Sequence, residues 1–458
     1  MIQIPNEIEI VMKAIEERGF EVYAAGGCVR DALLGKEPLG WTLATNADLA
    51  ALTALFPGAA VVNAELGAVR MEAEREEQGE PRTAESGETG VIRTEAAREP
   101  EPISVTVAAY RADGAYSGFR MPDGVRFADN IEEDLGRRDF TVNAMAYHPA
   151  KGLVDPYDGA RDLAEKRIRA VGDPLVRFQE DPLRMLRAAR FAAELGFDIH
   201  KETLRAISKK SGRLKIVSVY RVRDEFEKLI TGAFAGKGLK LLVNLNLMPH
   251  IVGDLSRAMT GRAAKQFAVL AENIDKSKQI RERRLALFFI CFGKQDALLA
   301  IERLKFDEET VERLTKALKY LDTVSLLTTK YELKKFLARH GAETYEFLDG
   351  LAKAQRNVYD LSESKIFSRQ YMTREIQANG EPVFLWELKV DKDDIIENNI
   401  AKGEKADLIL EALLHLVHRQ PEFNVKETLL EHARRYAWNP LLSASLKMKW
   451  LRWRNEMY

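Results

Sequence analysis

Two adjacent glycines occur where a short apolar segment runs into a charged one, in the sequence GGCVRD at 26–31. Gly26 and Gly27 let the backbone approach a phosphate group closely, and a helix that follows them presents unpaired N–H groups to it. Arg30 adds a guanidinium that can bind a phosphate through two hydrogen bonds, with Asp31 available to orient it. A tight turn from a strand into a helix, without a ligand, explains the same residues. The motif predicts a phosphate site and leaves that alternative open.

A second polar group, RRDFTVNAM at 137–145, leads from charged residues directly into an apolar stretch. Arg137, Arg138 and Asp139 come first, and Asn143 lies among the apolar residues that follow. This order predicts polar side chains at the mouth of a cleft. The start of a solvated helix, with Asp139 near its N-cap, is the alternative interpretation.

The third group begins with EDPLR at 180–184 and continues into further arginines. Asp181, Arg184 and Arg187 recur at every third position, so they share roughly one face of a helix, and Arg190 drifts off its edge. A carboxylate beside a guanidinium can satisfy the hydrogen-bonding edge of a nucleobase much as a paired base does. A ladder of ion pairs on the protein surface is the alternative for the same spacing.

The elements that must position these groups change in character along the chain. Strands are predicted at 21–25, 103–110 and 124–127 from their valine and aromatic residues, and a helix is predicted to begin at Ala32. Residues 72–102 are dominated by Glu, Arg, Gly, Thr and Pro, which cannot build a core. We therefore interpret that segment as a solvated insertion or flap.

From about Ala160 onward, apolar residues recur at helical spacing almost to the end of the chain. A break is predicted at 362–381, where Gly380 and Pro382 interrupt the pattern. The expected fold class is therefore α+β, with a small α/β head followed by a long all-helical region that ends in a separate tail.

Composition narrows the kinds of protein this chain can be. Its 458 residues are 46% hydrophobic and carry a formal net charge of −1, which argues against a uniformly basic nucleic-acid binder. Cys28 and Cys291 are the two cysteines, and they form neither a disulfide framework nor a zinc signature. The N-terminal residues are charged and lack the apolar run of a signal peptide or membrane span. We expect a cytoplasmic protein without a membrane partner.

Taken in their order, the three groups resemble successive motifs of the class II tRNA nucleotidyltransferases, a family of bacterial CCA-adding enzymes and poly(A) polymerases. LVDPYDG at 153–159 resembles the family's connection into its neck helices, and residues 409–430 resemble its C-terminal region. The resemblance implies four parts, which are a nucleotidyltransferase head at 1–150 with the insertion at 72–102, a neck at 151–212, a helical body at 213–361 and a tail at 362–458.

The resemblance also implies ligands and the residues that bind them. The head would hold the triphosphate of ATP or CTP with Mg²⁺, the neck would select the base, and the body and tail would hold the top half of a tRNA, with the 3′ end of a tRNA or another RNA as partner. Gly27, Arg30 and Arg138 would contact the triphosphate or sugar, and Asp181 and Arg184 would read the base edge. The full set carried over as nucleotide-binding residues is Gly26, Gly27, Arg30, Asp31, Arg137, Arg138, Asp139, Asn143, Asp181, Arg184, Arg187 and Arg190.

Two stretches rich in cations are candidates for the RNA contact. One is the neck and early body, with Arg161, Lys166, Arg167, Arg169, Lys209, Lys210, Arg213 and Lys215. The other is KMKWLRWR at 447–454, where basic and aromatic residues alternate. Such surfaces neutralise phosphates and bind RNA by shape. A terminal helix that docks its tryptophans on the body is the alternative for the second stretch.

The sequence departs from the family where the catalytic metal ions should bind. Nucleotidyl transfer uses two metal ions about 3.5–4 Å apart, and Mg²⁺ prefers carboxylate oxygens. The resemblance places the family's carboxylates at Gly40, Thr42 and Thr106, and a further acidic residue at Gly118. Glycine has no side-chain ligand, and a threonine hydroxyl is a weak neutral one. We therefore predict no catalytic carboxylate and no metal site.

Two classes of function remain open. In one, which we expect, the protein is a pseudoenzyme that binds ATP or CTP and the tRNA 3′ end while catalysis is impaired. In the other, it is an active CCA- or A-adding nucleotidyltransferase whose metal site has been rebuilt. Asp48, Glu65 and Asp113 are acids near the motif in sequence, but nothing in the sequence places their oxygens at the metal positions.

Overall fold

The computed structural model describes residues 2–74, 102–113, 125–253, 260–360 and 364–438. The chain divides into two compact units, Met1–Gly253 and Asp254–Tyr458. Gly118, most of the segment 72–102 and the cationic stretch 447–454 lie outside the described residues.

A mixed sheet of seven strands lies in the first unit, with the order β3-β4-β5-β2-β1-β8-β9. The strands are β1 (Val22–Ala25), β2 (Trp41–Thr45), β3 (Ala60–Asn63), β4 (Ala68–Ala73), β5 (Ile103–Ala109), β6 (Arg111–Asp113), β7 (Val125–Phe127), β8 (Ala146–His148), β9 (Gly152–Val154), β10 (Arg167–Ile168) and β11 (Asp198–Ile199). Strands β2 and β5 are parallel at the centre, and the other neighbours in this sheet are antiparallel. Two small sheets pair β6 with β7 and β10 with β11.

The helices of the first unit pack around this sheet and then continue beyond it. They are α1 (Asn6–Glu16), α2 (Gly27–Leu33), α3 (Leu49–Leu55), α4 (Ile131–Gly136), α5 (Gly159–Ala164), α6 (Pro174–Glu180), α7 (Leu183–Leu195), α8 (Lys201–Lys210), α9 (Val219–Thr231), α10 (Ala235–Asn244) and α11 (Met248–Val252). Helices α7 and α9 pack closely, with Phe226 and Leu229 of α9 fully buried.

The two faces of the central sheet differ in burial. Residues of β5 alternate between buried and half-buried, as expected for a strand with one face on the core. Val105 and Val107 point into that core and are fully buried. Ser104 and Thr106 point to the opposite face. We call this second face of β4, β5 and β2 the open face.

The described residues of the second unit form helices joined by short connections, without a β-strand. Its helices are α12 (Gly261–Asn273), α13 (Arg281–Ile290), α14 (Lys294–Leu304), α15 (Glu308–Leu326), α16 (Lys330–His340), α17 (Ala342–Tyr359), α18 (Ser364–Ala378), α19 (Lys392–Glu397), α20 (Glu404–Arg419) and α21 (Lys426–Trp438). An apolar cluster that includes Ile395, Leu413 and Leu429 joins the last three.

The architecture confirms the α+β fold class and the three predicted strands. Three boundaries differ from the predictions. The helix expected from Ala32 begins at Gly27, because Gly26 already makes the turn with a φ of 88°. Strand β4 continues to Ala73, so residues 72 and 73 are strand residues. Helix α18 fills most of the predicted break at 362–381, and the chain turns at Gly380, whose φ is 60°.

None of the described helices is long and apolar enough to cross a membrane. Both cysteines are buried and unpaired. Burial raises the pKa of the Cys28 thiol above its ordinary value.

Candidate functional site

The three sequence motifs meet around one cavity of about 500 Å³ in the first unit. The open face of β2 and β5 forms part of its wall through Thr42, Ala44, Thr106 and Ala108. Nine of the predicted nucleotide-binding residues also line it, namely Gly27, Arg30, Arg137, Arg138, Asp139, Asn143, Asp181, Arg184 and Arg187. Gly26, Asp31 and Arg190 are not part of the lining, and each contacts a residue that is.

Gly26 is required by both its backbone conformation and its surroundings. Its φ of 88° lies in the left-handed region, which favours glycine. A Cβ atom at this position would lie 2.3 Å from Nη1 of Arg138. The glycine therefore lets Arg138 pass directly against the turn that starts α2. At Gly27 the nearest atom to an added Cβ is Nη2 of Arg30, at an ordinary 3.7 Å.

A continuous chain of hydrogen bonds joins the three motifs across the cavity. Arg30 pairs with Asp31 at 2.8 Å and donates from Nη1 to Oδ1 of Asn143 at 2.7 Å. Asn143 donates from Nδ2 to Oδ1 of Asp139 at 3.0 Å. Arg187 closes the chain by donating from Nε to Oδ2 of Asp139 at 2.8 Å. Its side chains thus hold one another in fixed positions.

Asp139 is charged in spite of its burial. Burial by itself opposes ionisation, but the Arg187 guanidinium and the Asn143 hydrogen bond outweigh it and hold the pKa of this carboxyl below its ordinary value. The Asp139 carboxylate in turn raises the pKa of Arg187. Asp139 does not cap a helix. Its side chain accepts a hydrogen bond from the backbone N–H of Phe140, and the 3₁₀ turn that follows has no side-chain cap.

Asp134 is a buried hub that the motif reading missed. Its side chain is 1% exposed, and its two oxygens accept from Nη2 of Arg137 at 2.6 Å and from Nη2 of Arg138 at 2.9 Å. Burial opposes its charge, and the guanidiniums of Arg138 and Arg137 overcome this and lower its pKa. Asp134 lies three residues before Arg137 and four before Arg138, which is the spacing of side chains that meet on a helix. This spacing in the sequence could have predicted the two ion pairs.

The predicted base-reading residues, Asp181 and Arg184, are each hydrogen-bonded to other residues of the protein. Asp181 accepts from Nη2 of Arg221 on α9 at 2.7 Å, and Arg221 was not identified from the sequence. Arg184 donates to Oε2 of Glu180 at 2.7 Å and to the carbonyl oxygen of Arg137 at 2.7 Å. Asp181 and Arg184 both line the cavity, and Arg184 is only 8% exposed. A ladder of ion pairs on the protein surface would instead leave these side chains exposed.

Arg190 supports the cavity wall from behind. It lies 3.8 Å from the ring centre of Phe191, which itself lines the cavity. Its Nε is 2.5 Å from Oε2 of Glu225, and its Nη1 is 2.8 Å from Oε2 of Glu194. Glu225 belongs to α9, 35 positions further along the chain, so sequence spacing gave no signal for it.

The positions at which the family resemblance expects carboxylates come together in the sheet. Thr42 and Thr106 are direct register partners on the parallel strands β2 and β5. Gly40 adjoins them, since an added Cβ there would lie 3.0 Å from the carbonyl oxygen of Ser104. The three positions thus adjoin one another, and the groups they offer are two hydroxyls and a bare backbone.

Other acids do not replace them among the described residues. Asp48 caps α3 by accepting from the N–H of Ala51, and Glu65 is exposed in the turn after β3. The side chain of Asp113 lies outside the description. Within the described ranges, no group of three or more His, Cys, Asp or Glu side chains is placed to hold a metal ion. The residues present in this part of the chain do not fit a two-Mg²⁺ site.

A row of side chains crosses the open face at this point. Arg70 of β4 is the register partner of Thr106, which is the partner of Thr42. The Nε atom of Arg70 lies 3.5 Å from Oγ1 of Thr106. Glu72 follows on the same face of β4, opposite Ser104. An arginine therefore adjoins the position where the family would place a metal ligand.

The cavity lining as described is rich in positive charge. It contains six arginines and three aspartates, namely Arg30, Arg111, Arg137, Arg138, Arg184 and Arg187 with Asp134, Asp139 and Asp181. Each aspartate is hydrogen-bonded to at least one arginine. This arrangement suits an anionic ligand that makes several charge-assisted hydrogen bonds.

Known families match much of the first unit. The poly A polymerase head domain family matches residues 22–169. A second family, described as a probable RNA and SrmB- binding site of polymerase A, matches residues 196–259.

Whole proteins and solved structures agree with these matches. The CCA-adding enzyme of Lactococcus lactis subsp. lactis (strain IL1403) is 31% identical over 420 residues, which cover 88% of this chain and 95% of that enzyme. The CCA-adding enzyme of Leuconostoc citreum (strain KM20) is 36% identical over 247 residues, which cover 54% of this chain and 55%, or about half, of that relative. A crystal structure of the Bacillus stearothermophilus CCA-adding enzyme in complex with CTP has a TM-score of 0.74 and 26% identity, and covers 99% of this chain and 100% of that one.

Proposed function

Because the chain belongs to the family of CCA-adding enzymes, we propose that it binds ATP or CTP and the 3′ end of a tRNA and that nucleotidyl transfer by it is impaired. The observation that supports this proposal is the register pair of Thr42 and Thr106, which brings two hydroxyls together at positions where the family resemblance expects carboxylates for paired dications. Without such ligands, the carboxylates of the described cavity are Asp134, Asp139 and Asp181, and each of these is already paired with an arginine.

Nucleotide binding is supported by the cavity itself. Asp134 holds Arg137 and Arg138, and the hydrogen-bond chain from Arg30 to Arg187 fixes two further guanidiniums of the lining. These guanidiniums would bind the triphosphate, since planar donor pairs match phosphate oxygens. The Bacillus stearothermophilus relative binds CTP, and we propose the same class of ligand here.

Base recognition would fall to the neck side of the cavity. Asp181 offers acceptors and Arg184 offers donors, a combination that complements the edge of cytosine or adenine. Their contacts with Arg221 and Glu180 would hold them in place until a base arrives. We propose that Arg190 acts indirectly, by positioning the ring of Phe191 in the cavity wall.

RNA binding is proposed for the helices that follow. The RNA-binding family match covers residues 196–259, and the exposed Lys209 and Lys215 lie within it. Positively charged side chains of this kind neutralise phosphates and make binding sensitive to salt. We keep the division into a head at 1–150, a neck at 151–212, a body at 213–361 and a tail at 362–458 as part of the proposal.

A rebuilt metal site is the alternative, and Glu72 is the observation that favours it. It is the acidic side chain that the described part of the open face offers near Thr106. A single carboxylate supplies too few anionic ligands for two dications, and the adjacent Arg70 repels a cation. We therefore rank active transfer second.

An incorporation assay separates the two functions. The protein is incubated with Mg²⁺, labelled CTP or ATP, and a tRNA that lacks its 3′ terminus, and the Bacillus stearothermophilus enzyme is run alongside as a positive control. We expect retention of tRNA and nucleotide in filter-binding experiments together with little or no incorporation. Robust incorporation by this protein would overturn the proposal of impaired catalysis, and absence of nucleotide and tRNA binding would overturn the proposal of retained recognition.

A further inference from the structure

We infer that the cavity binds the polyphosphate of a nucleoside triphosphate as a free anion, without a divalent cation, and that Arg70 supplies part of the positive charge that such a cation would bring. This inference rests on the proposed function and deepens it. It follows from the charge balance of the cavity, the state of its carboxylates and the row of side chains on the open face.

The charge balance comes first. The described lining carries six guanidiniums against three carboxylates, and two of those guanidiniums, Arg30 and Arg184, pair with Asp31 and Glu180 just outside it, so that arginine stays in modest excess before any ligand enters. A site that binds a metal–nucleotide complex needs anionic groups for the metal as well as cations for the phosphates. An excess of arginine instead matches a polyphosphate whose charges are still unneutralised.

The three carboxylates are already occupied. Both oxygens of Asp134 accept from arginines, and both oxygens of Asp139 accept hydrogen bonds, one of them from Arg187. Asp181 is held by Arg221. To ligate a dication, each would have to leave a buried or half-buried arginine without its counter-charge, which is strongly unfavourable. A metal ion therefore gains little from entering this cavity.

The open face completes the site for an anion. Neighbouring strands lie about 4.8 Å apart, so the Arg70, Thr106 and Thr42 row spans roughly two such steps. The Arg70 side chain is exposed, and its Nε lies 3.5 Å from the Thr106 hydroxyl, which lines the cavity. A guanidinium and two hydroxyls can all donate hydrogen bonds to phosphate oxygens.

Carboxylates in the same row would act in the opposite way. Paired acids at 42 and 106 would repel a bare polyphosphate and would need a cation between themselves and the ligand. Hydroxyls remove that repulsion. The change from acids to threonines, next to Arg70, thus turns a site that depends on metal into one that binds the anion directly.

The test is a titration of the full chain with ATP and with CTP, by calorimetry, in buffer containing EDTA and in buffer containing Mg²⁺. We expect binding in EDTA to be at least as tight as in Mg²⁺, because Mg²⁺ shields the charges that the arginines recognise. Arg70→Met should weaken binding in EDTA about tenfold, the loss expected from one charge-assisted hydrogen bond. Arg18→Met is the matched control, since Arg18 is an exposed arginine after α1 and lies outside the cavity lining.

A second variant tests the row in the other direction. Thr106→Asp places a carboxylate beside Arg70 and should weaken nucleotide binding in EDTA more than in Mg²⁺. The Kd in EDTA divided by the Kd in Mg²⁺ should therefore be larger for this variant than for the wild type. Thermal melting of each variant shows that it is folded.

The outcomes are separable. Binding that requires Mg²⁺ would overturn the inference and leave the proposed nucleotide recognition intact. Wild-type affinity for Arg70→Met in EDTA would overturn the role of Arg70. No binding of either nucleotide in either buffer would overturn the proposed function on which the inference depends.

Discussion

The carboxylate of Asp181 is held by Nη2 of Arg221 at 2.7 Å, although the two residues lie 40 positions apart in the chain. Asp181 lies just before α7, and the close packing of α7 against α9 brings the two residues together. Arg221 thereby sets the direction of a carboxylate that we propose reads the base edge.

Substituting Arg221 with Ala should reduce discrimination between bases more than it reduces affinity. Asp181 would lose its orienting partner, and we expect the preference for CTP or ATP over UTP and GTP to fall about tenfold. Calorimetric Kd values for the four nucleotides measure it. The double variant Asp181→Ala/Arg221→Ala should discriminate no worse than Asp181→Ala alone; an additive loss would show that Arg221 acts independently of Asp181.

Gly26→Ala should be destabilising for two separable reasons. One is the φ of 88°, and the other is the approach of Arg138 to within 2.3 Å of an added Cβ. Gly35 is the matched control, because its φ of 68° is also positive while nothing lies within 4 Å of an added Cβ. We expect Gly35→Ala to lower the free energy of unfolding by about 1 kcal/mol from backbone strain.

The same substitution at Gly26 should lower it by clearly more and should also weaken nucleotide binding, because Arg138 is displaced. Urea denaturation of both variants gives the comparison. Equal losses at the two positions would mean that the contact with Arg138 does not constrain the turn.

Asp134→Asn should remove one source of acid sensitivity. The pKa of Asp134 is lowered from 3.8 in the folded state, so its contribution to stability is present above pH 3.8 and is lost as the pH falls through the lower folded value. The substitution leaves Arg137 and Arg138 without a buried counter-charge, and we expect a loss of about 3 kcal/mol at neutral pH.

Unfolding free energies of wild type and Asp134→Asn at pH 7 and at pH 3 test this. The difference between the two proteins should shrink at the lower pH. A difference that stays constant between the two pH values would contradict a charged Asp134 in the folded protein.

Restoring acids on the open face should restore metal dependence. Thr42→Asp with Thr106→Asp places two carboxylates on register partners, and Gly40→Asp can follow, although its Cβ would press on the Ser104 carbonyl at 3.0 Å. We expect Mg²⁺-dependent incorporation of labelled nucleotide into tRNA to appear in the restored variants. Thr42→Asn with Thr106→Asn is the control that matches shape without charge. Continued inactivity of the acid variants, with intact nucleotide binding, would show that more than these ligands is missing.

The sequence identified the parts of this site that depend on local spacing. The Gly26-Gly27 turn, the arginines before Asp139 and the helix start at Asp181 each combine residue types within a few positions, and all three meet at one cavity. Asp134 could have been found in the same way, from its helical spacing to Arg137.

The missed contacts are those between distant segments. Arg187 reaches Asp139 across 48 positions, and only the packed helices reveal that they form a pair. The row of Arg70, Thr106 and Thr42 could not be predicted from the sequence either, because the register of β4 against β5 decides which residue lies next to Thr106. From composition we predicted that the insertion begins at residue 72. The structure shows that residue 72 still belongs to β4, which pairs with β5 as far as Ala73.

The threonine pair at the centre of the sheet also affects how well the sheet folds. Thr is β-branched and suits a strand, whereas aspartate is depleted there, and like charges on facing positions destabilise a strand pair. Thr42 and Thr106 thus join β2 to β5 without the repulsion that two carboxylates would bring before any ion arrived. A variant with acids at positions 42 and 106 should have a lower melting temperature in EDTA, and the melting temperature should rise again when Mg²⁺ is added. The residues that favour nucleotidyl transfer would therefore lower the stability of the metal-free sheet.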